Sequence, residues 1–136
     1  NGRQPYIRQF ENYVGILVGR MPESCEQRGI CGIQNVVEAD GSVYPCDFYA
    51  LDEYCLGNIN ETGVAQMEEK RAEIGFVNRS RNHSPRCRAC PWFSLCRGGC
   101  YRSREGEADN YFCRGYQMFF EKNSDRLAEI AGQIGR

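Results

Sequence analysis

Apolar residues return every three or four positions near the start of the chain. Ile7, Phe10, Val14, Leu17 and Val18 follow Pro5, and Gly19 ends the run. Proline at the start, a single apolar stripe and a glycine stop predict an amphipathic helix. The period then changes. After a loop carrying Cys25 and Cys31, the segment NVVEADGSVYPCDFY alternates in strand fashion about Asp40 and Gly41, which predicts a β-hairpin with Cys46 at the far end of its second strand. Val64, Met67, Ile74 and Val77 restore helical spacing and predict a middle helix, with residues 78–84 as polar loop. The stretch SPRCRACPWFSLCRGGCYRSRE is broken by Pro91, Gly98 and Gly99, leaving room for one helical turn between Trp92 and Arg97. From Asn110 onward, Phe112, Tyr116, Phe119, Leu127, Ile130 and Ile134 mark a long terminal helix with Cys113 in its first turn. The expected fold is small, irregular α+β: one β-hairpin and three helices, with no internal repeat.

Cysteine spacing changes this picture. Cys87, Cys90, Cys96 and Cys100 fall within fourteen residues, Cys25, Cys31 and Cys46 stand upstream, and Cys113 closes the series. Two residues between Cys87 and Cys90 form a knuckle that lets both sulfurs face one centre, as in zinc ribbons and iron-sulfur runs. Once ionised, packed thiolates repel one another and require a cationic centre, so eight of them read as two four-thiolate metal sites that organise the fold. Nine cysteines could instead belong to a disulfide scaffold. The odd count, the lack of a signal-peptide pattern and the CxxC knuckle oppose that.

Length and charge narrow the classes further. A chain of 136 residues with 26% charged side chains and 15 glycines makes one domain with a thin core, to which metal sites would add cohesion. No apolar run approaches the roughly 18 residues of a membrane span, so a soluble, cytoplasmic protein is expected. Between Gly75 and Arg104 no acidic residue occurs, whereas Arg79, Arg81, Arg86, Arg88, Arg97, Arg102 and Arg104 do. Nucleic-acid binding through this run, with Trp92 and Tyr101 stacking, conflicts with a formal net charge of −1. Offsetting the negative charge of thiolate-bound metal explains the run better. Tyr6, Phe10, Tyr13, Phe112, Tyr116, Phe119 and Phe120 are expected in the core, and Trp92 and Phe93 as a shield over a cluster. His83, the one histidine, reads as an exposed loop residue, and Cys55 as a buried free thiol outside the ligand pattern.

The order of cysteines resembles the SPASM domain, the C-terminal extension of peptide-modifying radical S-adenosylmethionine enzymes: Cys25, five residues, Cys31, fourteen residues, Cys46, a long gap, then Cys87, Cys90, Cys96, Cys100 and Cys113. More narrowly, VVEADGSVYPCDFYALDEYCLGNI and the opening PYIRQFENYVGILVGRMPESC are similar to anaerobic sulfatase-maturating enzymes. The resemblance covers nearly the whole chain but only about the last third of such an enzyme. The barrel with its CxxxCxxC motif is absent, so residues 1–22 are expected to be a linking helix from a missing barrel and 23–136 the auxiliary-cluster domain.

The resemblance implies two interleaved [4Fe-4S] clusters. The first would take Cys25, Cys31, Cys46 and Cys100, and the second Cys87, Cys90, Cys96 and Cys113. Contiguity alone favours a rival in which Cys100 and Cys113 change places. Complete protein ligation implies a role in electron transfer or architecture, and a preparation made in air could hold zinc instead. S-adenosylmethionine and a third cluster would lie in the missing barrel. Such an enzyme oxidises a sulfatase cysteine or serine to formylglycine, with the barrel, the sulfatase peptide and an electron carrier such as ferredoxin or flavodoxin as partners. Asp47, directly after Cys46, occupies the place of a proposed catalytic base. Without the barrel the chain is expected to be inactive. Read from the residues alone, Asp47 caps a turn, and a zinc-stabilised peptide-binding module without redox chemistry is the alternative function.

Overall fold

The computed structural model describes residues 5–104 and 108–134. In chain order the elements are α1 (Arg8–Leu17), α2 (Cys25–Arg28), β1 (Val36–Val37), β2 (Ser42–Tyr44), β3 (Gly57–Asn58), α3 (Val64–Ile74), α4 (Phe76–Arg79), α5 (Pro85–Arg88), α6 (Phe93–Cys96) and α7 (Cys113–Ile134). Short 3-10 turns occupy Asp47–Tyr49, Asp52–Tyr54 and Tyr101–Ser103. The chain divides into two compact units, one of residues 1–30 with 82–136 and the other of residues 31–81.

In the first unit the predicted helical stripes meet. Tyr13 and Val14 of α1 pack with Leu95 of α6 and with Phe120, Leu127 and Ala131 of α7. Phe120 is fully enclosed, edge-on to Tyr13 with ring centroids 5.0 Å apart and stacked on Trp92 at 5.9 Å. Not every expected aromatic joins this core. Tyr6 and Phe112 lie just outside α1 and α7 and are exposed, and Phe10 stays exposed at the rim although its ring stacks on Phe119 of α7 at 5.7 Å.

The second unit is built on the hairpin. Val36 pairs with Tyr44 and Val37 with Val43, and the turn closes where Gly41 N–H donates to Glu38 O at 2.9 Å. The sequence predicts two strands, yet β3 adds a third, with Ser42 opposite Asn58 and Val43 opposite Gly57. Glycine and asparagine have little strand propensity, so this pairing is recruited by the free edge of β2. Val43, Leu56 and Met67 form the core, and Tyr49, Tyr54 and Phe76 make an edge-to-face cluster beside it.

The expected middle helix is two helices. Gly75, in the left-handed region at φ 67°, ends α3 and starts α4, which takes up Val77 and the first two residues of the expected polar loop. Three long helices are therefore accompanied by four-residue helical turns at 25–28, 76–79, 85–88 and 93–96. Only the last of these was legible as a turn.

Candidate iron-sulfur site

Local capping fixes the cysteine-dense stretch. Ser84 is the N-cap of α5: its side chain accepts from Cys87 N–H at 3.0 Å, and Pro85 occupies the first turn, where a missing N–H costs nothing. The Ser84 hydroxyl donates to Asp109, which also accepts from Arg86 at 2.9 Å. Cys90 N–H closes the knuckle on Cys87 O at 3.1 Å, and Phe93 N–H bonds to Cys90 O at 3.0 Å as α6 begins. Cys96 is the last residue of α6. Arg97, Gly98 and Gly99 then follow in succession at φ 51°, 79° and 68°. A non-glycine residue costs about 1–2 kcal/mol in this region, and a Cβ on Gly98 would lie 2.5 Å from the His83 ring. Buried Asn110 ties the turn to α7, donating to Gly98 O at 3.0 Å and accepting from Phe112 N–H at 2.8 Å, and Cys113 opens the helix.

Cys87, Cys90, Cys96 and Cys113 thereby line one cavity, walled by Trp92, Phe93 and Phe120. Burial is the leading cause that raises three of these thiols: Cys96 is pushed up to about 11, and Cys87 and Cys113 are raised as well. Neighbouring sulfurs add to the rise at all three, while Gly98 N–H at Cys96 and the Arg104 charge at Cys87 act against it. Gln117 directs its amide N–H toward Cys90 Sγ at 3.9 Å. Among the described residues no three His, Cys, Asp or Glu side chains are arranged to hold one metal ion. Four soft sulfurs around an aromatic-walled cavity are the donor set an iron-sulfur cluster takes, and these residues fit it.

Cys100 has a different neighbour. Burial raises its thiol first, Arg102 N–H opposes this, and the thiol whose charge bears on it is Cys25, the first residue of α2. In the second unit Cys31 N–H donates to the fully buried Ser80 hydroxyl at 2.9 Å. Cys46 is pushed up to about 12, chiefly by burial, with Cys31 among the smaller causes. Exposed Asp47 accepts from Phe48 N–H at 3.1 Å and from Cys46 Sγ at 3.2 Å.

Two sequence expectations are corrected. His83 is half-buried, with Nε2 2.9 Å from Arg97 O and its ring edge-on to Phe93, so it braces the turn after Cys96. Cys55 is half-buried too, its Sγ pointing to Gly57 O at 3.7 Å. Ser84, Asn110 and Arg104 were missed as organisers of the site. A Ser-Pro pair before Cys87 was the readable signal for the first.

Comparison with known proteins matches this geometry. A family model described as SPASM, iron-sulfur cluster-binding domain, matches residues 30–91. The cysteine-type anaerobic sulfatase-maturating enzyme of Clostridium novyi (strain NT) is 43% identical over 96% of the chain and 36% of that enzyme. The serine-type enzyme of Bacteroides thetaiotaomicron is 30% identical over 85% of the chain and 30% of its own length. The structure of native anSMEcpe with bound AdoMet superposes with a TM-score of 0.86 at 42% identity, covering 98% of this chain and 38% of that one. The same protein with AdoMet and the Cp18Cys peptide gives 0.85, again at 42% identity and over 98% and 38% of the two chains.

Residues 30–91 match the SPASM family of iron-sulfur cluster-binding domains. The chain as a whole is similar to the C-terminal part of anaerobic sulfatase-maturating enzymes, spanning less than two fifths of the length of the relatives it matches. The zinc-stabilised binding module does not fit these relationships. No described helix is long and apolar enough to cross a membrane.

Proposed function

We propose that this chain is the auxiliary-cluster part of a radical S-adenosylmethionine enzyme that oxidises a sulfatase cysteine or serine to formylglycine. The observation that carries the reading is the sorting of sulfurs: Cys87, Cys90, Cys96 and Cys113 share a cavity, while the neighbour of Cys100 is Cys25. This supports the interleaved ligand sets, Cys25, Cys31, Cys46 and Cys100 for one [4Fe-4S] cluster and Cys87, Cys90, Cys96 and Cys113 for the other. It disfavours the contiguous rival.

Bound clusters supply one-electron acceptance. Oxidation at the substrate β-carbon requires loss of a hydrogen atom, then of a proton and an electron. Asp47, exposed and next to Cys46, is placed in this proposal as the base that takes the proton. Trp92, Phe93 and Phe120 exclude water from the second set of sulfurs. In the complete enzyme residues 1–22 link to the barrel, a sulfatase peptide is the substrate, and ferredoxin or flavodoxin in the cytoplasm exchanges electrons with the domain.

Anaerobic reconstitution with iron and sulfide, followed by iron counting and electron paramagnetic resonance after reduction, tests the reading. Two [4Fe-4S] clusters require about eight irons per chain. A colourless chain that is equally well folded without iron would refute it. Zinc recovered from an aerobic preparation is expected to be displaced in the same experiment.

A further inference from the structure

Among the described residues Arg104 is the largest fully buried side chain, with 2% exposure. A charged side chain enclosed to that degree is rare unless it is bonded on several sides. Its three guanidinium nitrogens reach three separate loops. Nη2 donates to Gly29 O at 2.7 Å, in the turn that ends the Cys25 helix. Nη1 donates to Asn82 O at 2.6 Å, in the segment that leads to Cys87. Nε approaches Gly99 O at 3.4 Å, between Cys96 and Cys100. The guanidinium carbon sits 5.6 Å from the Tyr101 ring centroid. These carbonyls belong to loops that carry cysteines of both proposed sets. Loops of this kind have no sheet or long helix to keep them in register.

We propose that Arg104 is a positioning residue for the iron-sulfur centres, holding the Cys25, Cys87 and Cys96–Cys100 loops in one arrangement and keeping a buried positive charge among them. The inference rests on the cluster reading above. A planar fork is suited to three carbonyls in three directions, whereas an ammonium is a compact point charge without that fixed geometry. The charge matters separately. Enclosed among the cysteine-bearing loops, where water does not screen it, a positive charge favours the reduced, more negative state of a bound cluster.

The two contributions separate in Arg104→Lys and Arg104→Gln, compared with Arg88→Gln, which removes an exposed charge one residue from Cys87. Each full chain is loaded anaerobically, then followed for iron loss to a chelator and for cluster midpoint potentials by redox titration with electron paramagnetic resonance. Arg104→Lys is expected to release iron at least about twofold faster than wild type, with both potentials held. Arg104→Gln is expected to lower at least one potential, whereas Arg88→Gln leaves both because water screens its charge. Should the Gln variant fail to fold, iron loss from the Lys variant still decides. Release at the wild-type rate from Arg104→Lys, or wild-type potentials in a folded Arg104→Gln, would overturn the inference while wild-type loading upholds the cluster reading. A wild-type chain that takes up no iron would overturn both.

Discussion

Substituting Gly29 with alanine tests how tightly the Cys25 loop is built against the turn beyond Cys96. Gly29 ends α2 at φ 68°, where its N–H bonds to Cys25 O and Glu26 O at 3.0 and 3.1 Å. A Cβ there would fall 2.0 Å from Arg97 O and 2.8 Å from Arg97 Cβ, whereas real Cβ contacts stay beyond 3.0 Å. Neither obstacle can swing away, so the two loops must part by about 1 Å, the shortfall against that limit. The left-handed conformation costs about 1–2 kcal/mol for alanine. Parting the loops also stretches the Arg104 bond to Gly29 O, and hydrogen bonds to charged groups contribute about 1.5–3 kcal/mol. The expected loss is about 2.5–5 kcal/mol, a large share of a small domain's stability.

Two glycines calibrate the measurement. Gly19 has φ 77° and open space around its would-be Cβ, so Gly19→Ala should cost only the conformational part, about 1–2 kcal/mol. Gly32 has neither positive φ nor a neighbour within 4 Å, so Gly32→Ala should stay within about 0.5 kcal/mol. Anaerobic guanidinium unfolding of the iron-loaded chains, followed by circular dichroism, gives the order. A Gly29→Ala midpoint equal to that of Gly19→Ala would refute the close-approach argument.

Truncating the enclosed ring in Phe120→Ala should cost about 3–5 kcal/mol and hasten iron loss, as read by the same unfolding curves and by chelator kinetics. Cys100→Ser and Cys113→Ser should each remove one cluster, and a different one, in reduced electron paramagnetic resonance spectra; loss of the same signal from both contradicts the interleaved sets. In a full-length enzyme carrying this domain, Asp47→Asn should slow formylglycine formation about 10²–10⁴-fold without changing cluster spectra, scored by mass spectrometry of a sulfatase peptide. Turnover at the unmodified rate removes Asp47 from the role of base. Ser84→Ala should destabilise by about 1 kcal/mol through loss of the α5 cap, measured by thermal unfolding.

The sequence made the long elements readable because their signals are local. Pro5 with Gly19 bounded α1, Asp40-Gly41 marked the hairpin, and the stripe from Tyr116 to Ile134 drew α7. What escaped notice depends on distant partners. Gly57 and Asn58 form a strand only because β2 offers an edge. His83 looked like loop surface until Phe93 and Arg97 were brought against it. Arg104 read as one more cation in an arginine run, since nothing in its neighbours' identities foretold three carbonyls from three loops. For the cysteines, spacing indicated two centres, while allotment between them came from resemblance. The shared cavity and the Cys25–Cys100 relationship are the physical grounds on which that allotment is proposed.

In the proposed allotment Cys96 and Cys100 serve different centres across only three residues, all with left-handed backbone. A reversal that short has no slack: one residue more or fewer would send the second sulfur toward the wrong partners. Arg97–Gly99 should therefore stay free of insertions and deletions in every descendant that keeps both centres.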